Sequence, residues 1–303
     1  MFAKLFAESG LSLDRLRALL EVGAGGSIVK AANGDPVRQS QYSRQIKELE
    51  DFFRTRLIER QGKGTRLTAS GKELARISRF FLLGLSNFQR GCLAEEQTFR
   101  IGASATFIRQ FLLPLLSRPS LRKGAASYAS EIAPDKEIER RLHDLTLDFG
   151  VVGTEQLSRP LQTKLLGEWK LELWVPKALR LGEARAAEAF DQRRLPLVLA
   201  RELKGGDVLP LAEPEACLVC DSFMESRAAL EAREIAVLLP GFLAPGKTAR
   251  SFIRVHIPKL DSRIFHFYLA WNPRLLRLNP HAVRRRDWLA ESLSKRMVGS
   301  PVC

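Results

Sequence analysis

Residues 38–53, RQSQYSRQIKELEDFF, constrain the fold of this chain most. Tyr42, Ile46, Leu49 and Phe53 fall at i, i+4, i+7 and i+11, one stripe of a helix facing a core. The opposite face carries Arg38, Gln41, Arg44, Gln45 and Lys47, long polar side chains that a small core cannot use. A helix of this kind must be covered on one side and is left free for a partner on the other.

The flanking residues supply the cover. Leu13, Leu16, Leu19 and Leu20 recur at helical spacing behind Ser12, a cap, and Gly23 to Gly26 should end that helix. Ser27 can cap a short second helix through Ala32, closed by Asn33-Gly34. After the third helix, Leu57-Ile58, then RQGKGT, then Arg66-Leu67-Thr68 reads as two short strands around a glycine-containing basic turn. Helix, helix, turn, amphipathic helix and basic hairpin form the layout of a winged helix-turn-helix, which sets its third helix in the DNA major groove and its wing along the phosphates. Gln and Arg suit base edges, and Lys and Arg at a hairpin tip suit phosphates. Net charge alone does not locate such a site. Residues 1–97 hold 16 basic and 11 acidic side chains and residues 98–303 hold 32 and 23, so most of the net +14 sits in the second part.

A long helical pattern follows at 69–97. Leu74, Ile77, Phe81, Leu85 (or Leu82), Phe88 and Cys92 step by 3 or 4, close to a heptad seam, and Ser70 is a plausible cap. At ~1.5 Å per residue such a helix is about 35–40 Å long, more than a small winged domain can cover, and is read as a dimerisation helix. From residue 98 strands alternate with helices. Strands are expected at 99–103, 127–133, 147–153, 165–175, 197–200, 216–220, 235–239, 252–256 and 263–271. Helices are expected at 106–117, 135–144, 182–192, 222–232 and 287–297. The alternation implies a mainly parallel sheet covered by helices, in two sub-domains. The fold class expected is therefore α/β with an N-terminal winged helix-turn-helix and a long linker helix. The divisions are 1–68, 69–97 and 98–303, the last with one lobe from 98–171 and 265–303 and a second from 172–264.

The runs LDRLRALLEVGAGGSIVKAA and VRQSQYSRQIKELEDFFRTRLIERQGKGTRLTASGKELA resemble the DNA-binding domain of LysR-type transcriptional regulators. Gly26-Ser27, Ala31-Ala32, Ser43-Arg44-Gln45-Ile46, Leu49-Glu50, Leu57, Arg60, Arg66-Leu67-Thr68 and Gly71 fall in register over about 60 residues without a gap. Arg100-Ile101-Gly102, Leu147 to Val152 and Ala236 to Pro240 agree more loosely with strands of the family's effector domain. The resemblance implies a periplasmic-binding-protein-like effector domain and a homodimer or homotetramer on double-stranded DNA carrying an inverted-repeat operator. It further implies a small-molecule effector and, for an activator, contact with RNA polymerase. Carried over by position, Gln39, Ser40, Ser43 and Arg44 would meet the major groove, Ser27 and Lys30 would touch phosphate, and Lys63 and Arg66 would form the wing contact. The family usually has Leu where this chain has Asp35 and a capping Ser where it has Arg38. Asp35-Pro36 replaces that cap, Asp being a good N-cap and Pro favoured at the first helical position. The recognition helix is therefore expected to start at Pro36, about one turn early, bringing Arg38 to the DNA; Gln41, on the same polar face, is expected to contact it too.

Ligands of such α/β domains sit at helix N-termini beyond the strand ends. A small anionic effector is expected against Ser104 and Thr106, with Ser222 opposite and Arg201 as counter-charge. No catalytic constellation and no cofactor loop is found. Cys217-x-x-Cys220 has no second pair at zinc spacing, and His256 and His266 have no nearby carboxylate pair, so no metal is expected. Ser120-x-x-Lys123 matches penicillin-binding enzymes by letter alone. The longest nearly apolar stretch, 235–246, holds Pro240 and Pro245 and is too short to span a bilayer, and the start of the chain has no signal-peptide core. A cytoplasmic regulator is expected. The alternatives are an α/β solute-binding or enzymatic protein with a vestigial DNA module, and a constitutive regulator without an effector.

Overall fold

The computed structural model describes residues 10–61, 64–93, 97–118, 126–203, 218–232 and 234–298. Lys63, Ser120 to Lys123 and Cys217 lie outside these residues, as does the side chain of Cys92. The chain divides into two compact units, 1–95 and 96–303.

In the first unit, α1 (Leu13–Gly25) is capped by Ser12, whose side chain accepts from the Arg15 N–H, and ends at Gly26 with φ +65°. After α2 (Ile28–Ala31) the backbone turns through Asn33 and Gly34, at φ +51° and +81°. The third helix, α3 (Pro36–Phe53), buries Ile46 and Leu49 and ends at Arg54. Leu16, Leu19, Leu49, Leu57 and Ala75 form one core. The wing pairs β1 (Ile58–Gln61) with β2 (Gly64–Leu67), antiparallel, with Glu59 opposite Arg66. It lies close on the helices. A Cβ at Gly23 would come within 2.7 Å of Leu67, and the Thr65 N–H donates to the Gly26 carbonyl at 2.9 Å. The linker helix α4 (Ala69–Leu93) is capped by Thr68, not by Ser70. Thr68 Oγ1 accepts from the Gly71 N–H at 3.0 Å and donates to the Arg56 carbonyl at 2.7 Å. Ser70 falls inside the helix because the wing strand ends at Leu67, which leaves Thr68 as the residue before the first helical turn.

The second unit holds two five-stranded sheets. Lobe I contains β3 (Gln97–Ala103), β4 (Ala126–Ile132), β5 (Phe149–Val152), β6 (Gln162–Trp169) and β12 (Phe265–Trp271), ordered β4-β3-β5-β12-β6. Lobe II contains β7 (Leu171–Pro176), β8 (Leu197–Ala200), β9 (Leu218–Cys220), β10 (Ala236–Pro240) and β11 (Phe252–Val255), ordered β11-β7-β10-β8-β9. The sheets are mixed, not mainly parallel. The β3–β4, β3–β5, β8–β9 and β8–β10 ladders are parallel, whereas β12 runs against β5 and β6, and β7 against β10 and β11. The reason lies in the connectivity. β7, the first strand of lobe II, and β12, the last of lobe I, are the strands that directly follow the two crossings between lobes, and each runs against both of its neighbours. The long strand expected at 165–175 is for the same reason two strands, divided at Lys170 between the sheets.

The helical segment after β3 comprises α5 (Ala105–Phe107), a π turn (Ile108–Leu112) and α6 (Leu113–Leu116). Pro114 lacks the N–H that would bond the Gln110 carbonyl, and the turn before it widens. α7 (Asp135–His143), α8 (Glu183–Asp191) and α9 (Phe223–Glu231) follow their strands, and a short α10 (Pro258–Asp261) precedes β12. Three helices differ from expectation: α10 and α11 (Pro273–Leu278) are additional, and α12 (Pro280–Val298) starts well before residue 287. α11 and α12 begin at an Asn-Pro step. Asn272 Oδ1 accepts from the Arg274 N–H and Asn279 Oδ1 from the His281 N–H, each at 3.1 Å, the device that Asp35-Pro36 uses at α3. Arg284 to Arg286 therefore lie inside α12 rather than before it, and the Arg286 guanidinium stands 5.0 Å over the Trp271 ring.

Candidate nucleic-acid interface and effector cleft

The start of α3 is set by its cap. Asp35 Oδ1 accepts from the Val37 N–H at 2.9 Å and the Arg38 N–H at 3.5 Å, with Pro36 at the first helical position. The helix begins at Pro36 as the Asp-Pro step requires. Pro36, Val37, Ser40, Gln41 and Arg44 line a shallow open concavity on its outer face. Arg38, Ser40, Gln41, Ser43, Arg44 and Lys47 are exposed.

The other face is anchored. The Tyr42 hydroxyl donates to Glu21 on α1, and that carboxylate pushes the phenol above its ordinary value. Arg15 of α1 pairs with Glu48, and Arg44 stands 3.8 Å from the same carboxylate. Glu50 accepts from the Leu57 and Ile58 N–H groups at 2.7 and 3.2 Å, tying the end of α3 to the first wing strand. The helix presented to a partner is thus held by its neighbours at both ends.

Not every sequence candidate is free to reach outward. Gln39 turns back, its amide donating to the Gly34 carbonyl at 3.0 Å. Ser27 caps α2 by accepting from the Lys30 N–H at 3.1 Å, while the Lys30 side chain is exposed. Arg66 pairs across the wing with Glu59 at 2.6 Å, so its charge is already partly neutralised. Sequence reasoning passed over Val37, which is 76% exposed on the polar face; an apolar side chain among polar ones was the signal. On α4, the seam residues Ile77, Phe81, Leu85 and Phe88 are 51%, 49%, 43% and 74% exposed, an apolar stripe left open by the described residues of the first unit.

In the second unit Ser104 caps α5, accepting from the Phe107 N–H at 3.3 Å. Ser222 and Glu225 form a reciprocal capping box at the start of α9. Arg201 is paired with Asp221 at 2.8 Å. The backbone N–H of Thr106 donates to Glu202 Oε1 at 3.0 Å, and that of Phe223 to Glu202 Oε2 at 3.2 Å. One carboxylate thus bridges the lobes. Around it the lobes meet through rings: Phe111 of lobe I lies 5.0 Å from Phe242 of lobe II, and Trp169 lies 5.9 Å from Phe223.

His256 Nδ1 lies 2.6 Å from Asp261 and His266 Nε2 lies 3.5 Å from Glu168, so each imidazole stands beside a carboxylate that the strand pattern did not reveal. Among the described residues no group of three or more His, Cys, Asp or Glu is placed to hold a metal ion, and no helix is long and apolar enough to cross a membrane.

Residues 13–72 match the profile of the bacterial regulatory helix-turn-helix proteins of the lysR family, and residues 94–294 that of the LysR substrate binding domain. A probable RuBisCO transcriptional regulator of Porphyra purpurea is 28% identical over 202 residues, 61% of this chain and 62% of that relative's length. ArgP from Mycobacterium tuberculosis superposes with a TM-score of 0.64 at 21% identity, over 90% of this chain and 97% of that one. Full-length CbnR complexed with its target DNA gives 0.53 at 19% identity, over 91% and 100%. At these identities the solved structures attest to the fold. The two profiles together account for most of the chain, which belongs to the LysR family of transcriptional regulators.

Proposed function

We propose that this protein regulates transcription by sequence-specific binding of double-stranded DNA through its winged helix-turn-helix, as a homo-oligomer on an inverted repeat. The observation that carries the reading is the outer face of α3, where Arg38, Ser40, Gln41, Ser43 and Arg44 are exposed while Ile46 and Leu49 are buried behind them. Gln41 and Arg44 have the donors to pair with base edges, and Val37 offers an apolar contact to a thymine methyl. Ser27, Lys30 and the wing residues Lys63 and Arg66 would position the helix through phosphates. Gln39 would reach the groove only by giving up its bond to Gly34.

The divisions at 68/69 and 97/98 follow this assignment: winged domain, linker helix, effector domain. The exposed apolar stripe of α4 pairs with its copy in a second subunit, which fixes the separation of two recognition helices and so makes half-site spacing part of the specificity. The C-terminal unit is the sensory half, which acts by favouring one subunit arrangement over another.

The test is in vitro selection of bound DNA from a random library. The expected outcome is an inverted repeat whose affinity falls steeply with salt. Binding without sequence preference would instead favour a vestigial module on an α/β protein of another activity.

A further inference from the structure

We propose that Glu202 is a built-in ligand: its carboxylate occupies the place between the lobes that a small anionic effector would take, and it holds the effector domain closed without one. The inference rests on reading the C-terminal unit as the sensory half of a regulator. Effector closure of a two-lobed domain needs an anion to receive donors from both lobes at once. Here Thr106, in the helical segment that follows β3 of lobe I, and Phe223, first residue of α9 in lobe II, each donate a backbone N–H to Glu202, one to each oxygen, at 3.0 and 3.2 Å. A carboxylate at helix starts is favoured by the unpaired N–H groups and by the helix dipole. Glu202 follows β8 of lobe II directly, so the charge is tethered to one lobe and reaches across to the other.

Three further observations support this. Arg201, the counter-charge an external anion would need, is paired with Asp221 at 2.8 Å. The N–H groups of Phe107 and Glu225 at the same helix starts donate to the Ser104 and Ser222 hydroxyl oxygens, so these donors too are taken. The rings beside the bridge pack across the lobes, Phe111 on Phe242 and Trp169 on Phe223, which adds apolar burial to closure. Glu202 does not replace every contact a ligand could make. Thr106 Oγ1 and Trp169 Nε1 are buried without a hydrogen-bond partner. The carboxylate supplies the charge and leaves other polar atoms of the seam unsatisfied, as expected of a substitute in a cleft shaped for a larger molecule. Small carboxylates should accordingly have no effect on the wild-type protein, because their donors are taken.

The test is chemical rescue on the full chain. Glu202→Ala removes a carboxymethyl group, and acetate replaces it. Thermal unfolding is followed in sodium chloride and in sodium acetate at equal ionic strength. The wild-type midpoint should be the same in both salts. Glu202→Ala should unfold at least ~6 °C lower in chloride, as expected for the loss of two hydrogen bonds to a charged group in a domain of this size, and acetate should restore most of the difference. Glu202→Gln, which keeps the shape and loses the charge, should fall by less and should not respond to acetate.

An alanine variant as stable as wild type in chloride would overturn the proposal, as would an equal acetate effect on both proteins. If the alanine variant does not fold, a glutamine variant indistinguishable from wild type would overturn it. These measurements need no DNA. Affinity for the selected DNA should depend on acetate in the alanine variant and not in wild type. Absence of DNA binding by either protein would defeat the regulator reading while leaving the thermal result for the clamp intact.

Discussion

The outer face of α3 and the seam between the two lobes use similar chemistry under opposite conditions. On α3, Ser40, Gln41, Ser43 and Arg44 are exposed, and Arg44 approaches Glu48 only to 3.8 Å. Between the lobes, Glu202 accepts from Thr106 and Phe223, while Ser222, 2% exposed, is locked with Glu225. The difference is what stands behind each group. Gln41 and Arg44 have Ile46 and Leu49 on the reverse of their helix and water in front, so the fold needs nothing from them and a partner can use them. The seam has protein on both sides, and a polar group left unpaired there would be costly. Outward groups should therefore govern binding without affecting stability, and inward groups should do the reverse.

The largest effect comes from the reverse face of α3. Leu49 is 0% exposed within the core of the first unit, and Leu49→Ala should cost about 2–5 kcal/mol of that unit's stability, measured by urea unfolding. DNA binding should then be lost through unfolding and recover where the unit refolds, for example in added osmolyte. An affinity loss that persists in the refolded unit would mean that the two faces of the helix are not separable. Next comes the outward face. Arg44→Ala and Gln41→Ala should each weaken binding to the selected site by about 1–3 kcal/mol and leave the unfolding midpoint within about 0.5 kcal/mol of wild type. A large stability change in either would break the contrast.

The first unit was largely legible in the sequence because its signals are local. The Asp35-Pro36 cap, the turn at Asn33-Gly34 and the stripe through Ile46 and Leu49 all act within a few residues, and each appears where the residues place it. The Asn272-Pro273 and Asn279-Pro280 caps are just as local, yet neither helix start is among those expected from the sequence. The seam was much less legible. Glu202 is a lone acidic residue after a strand, and its partners Thr106 and Phe223 lie 96 and 21 residues away; no periodicity announces a contact of that range. The same holds for the mixed sheets, whose antiparallel members are set by the crossings between lobes. The expected long strand at 165–175 was continuous in hydrophobicity, but a break between two sheets leaves no mark in that pattern. On the recognition face the sequence identified the helix and not the side chains' directions, since the Gln39 bond to Gly34 and the Arg66 pair with Glu59 depend on the folded turn and the strand register.

A smaller effect tests whether the early start of α3 matters to the outward face. Asp35 is an exposed cap, so Asp35→Ala should cost about 0.5–2 kcal/mol and release the amides of Val37 and Arg38 to faster hydrogen exchange. It should also alter which base is preferred opposite Arg38, because the first turn presents that residue. Repeating the selection with the variant checks this. An identical consensus would place Arg38 outside the set of base contacts while leaving Arg44 and Gln41 within it.

The smallest effect concerns an inward carboxylate of the second unit. Asp135, at the start of α7, accepts from the Gly153 N–H at 2.8 Å, yet burial pushes its carboxyl above the usual value, with Glu139 adding to the rise. The folded protein therefore binds this proton more tightly than the unfolded chain. Between the unfolded and folded values the native state carries more protons, so stability falls as pH rises through that window, and the full penalty is present at neutral pH. Asp135→Asn removes the charge and keeps an oxygen for the Gly153 N–H. It should raise the thermal midpoint at pH 7, and the gain should shrink as the pH is lowered through the carboxylate range, where wild-type Asp135 becomes neutral too. Paired melts from pH 4 to pH 7 measure it. A variant less stable than wild type at pH 7 would show that the bond to Gly153 needs the charge. Inward polar groups of this unit would then stabilise as ions, as proposed for Glu202.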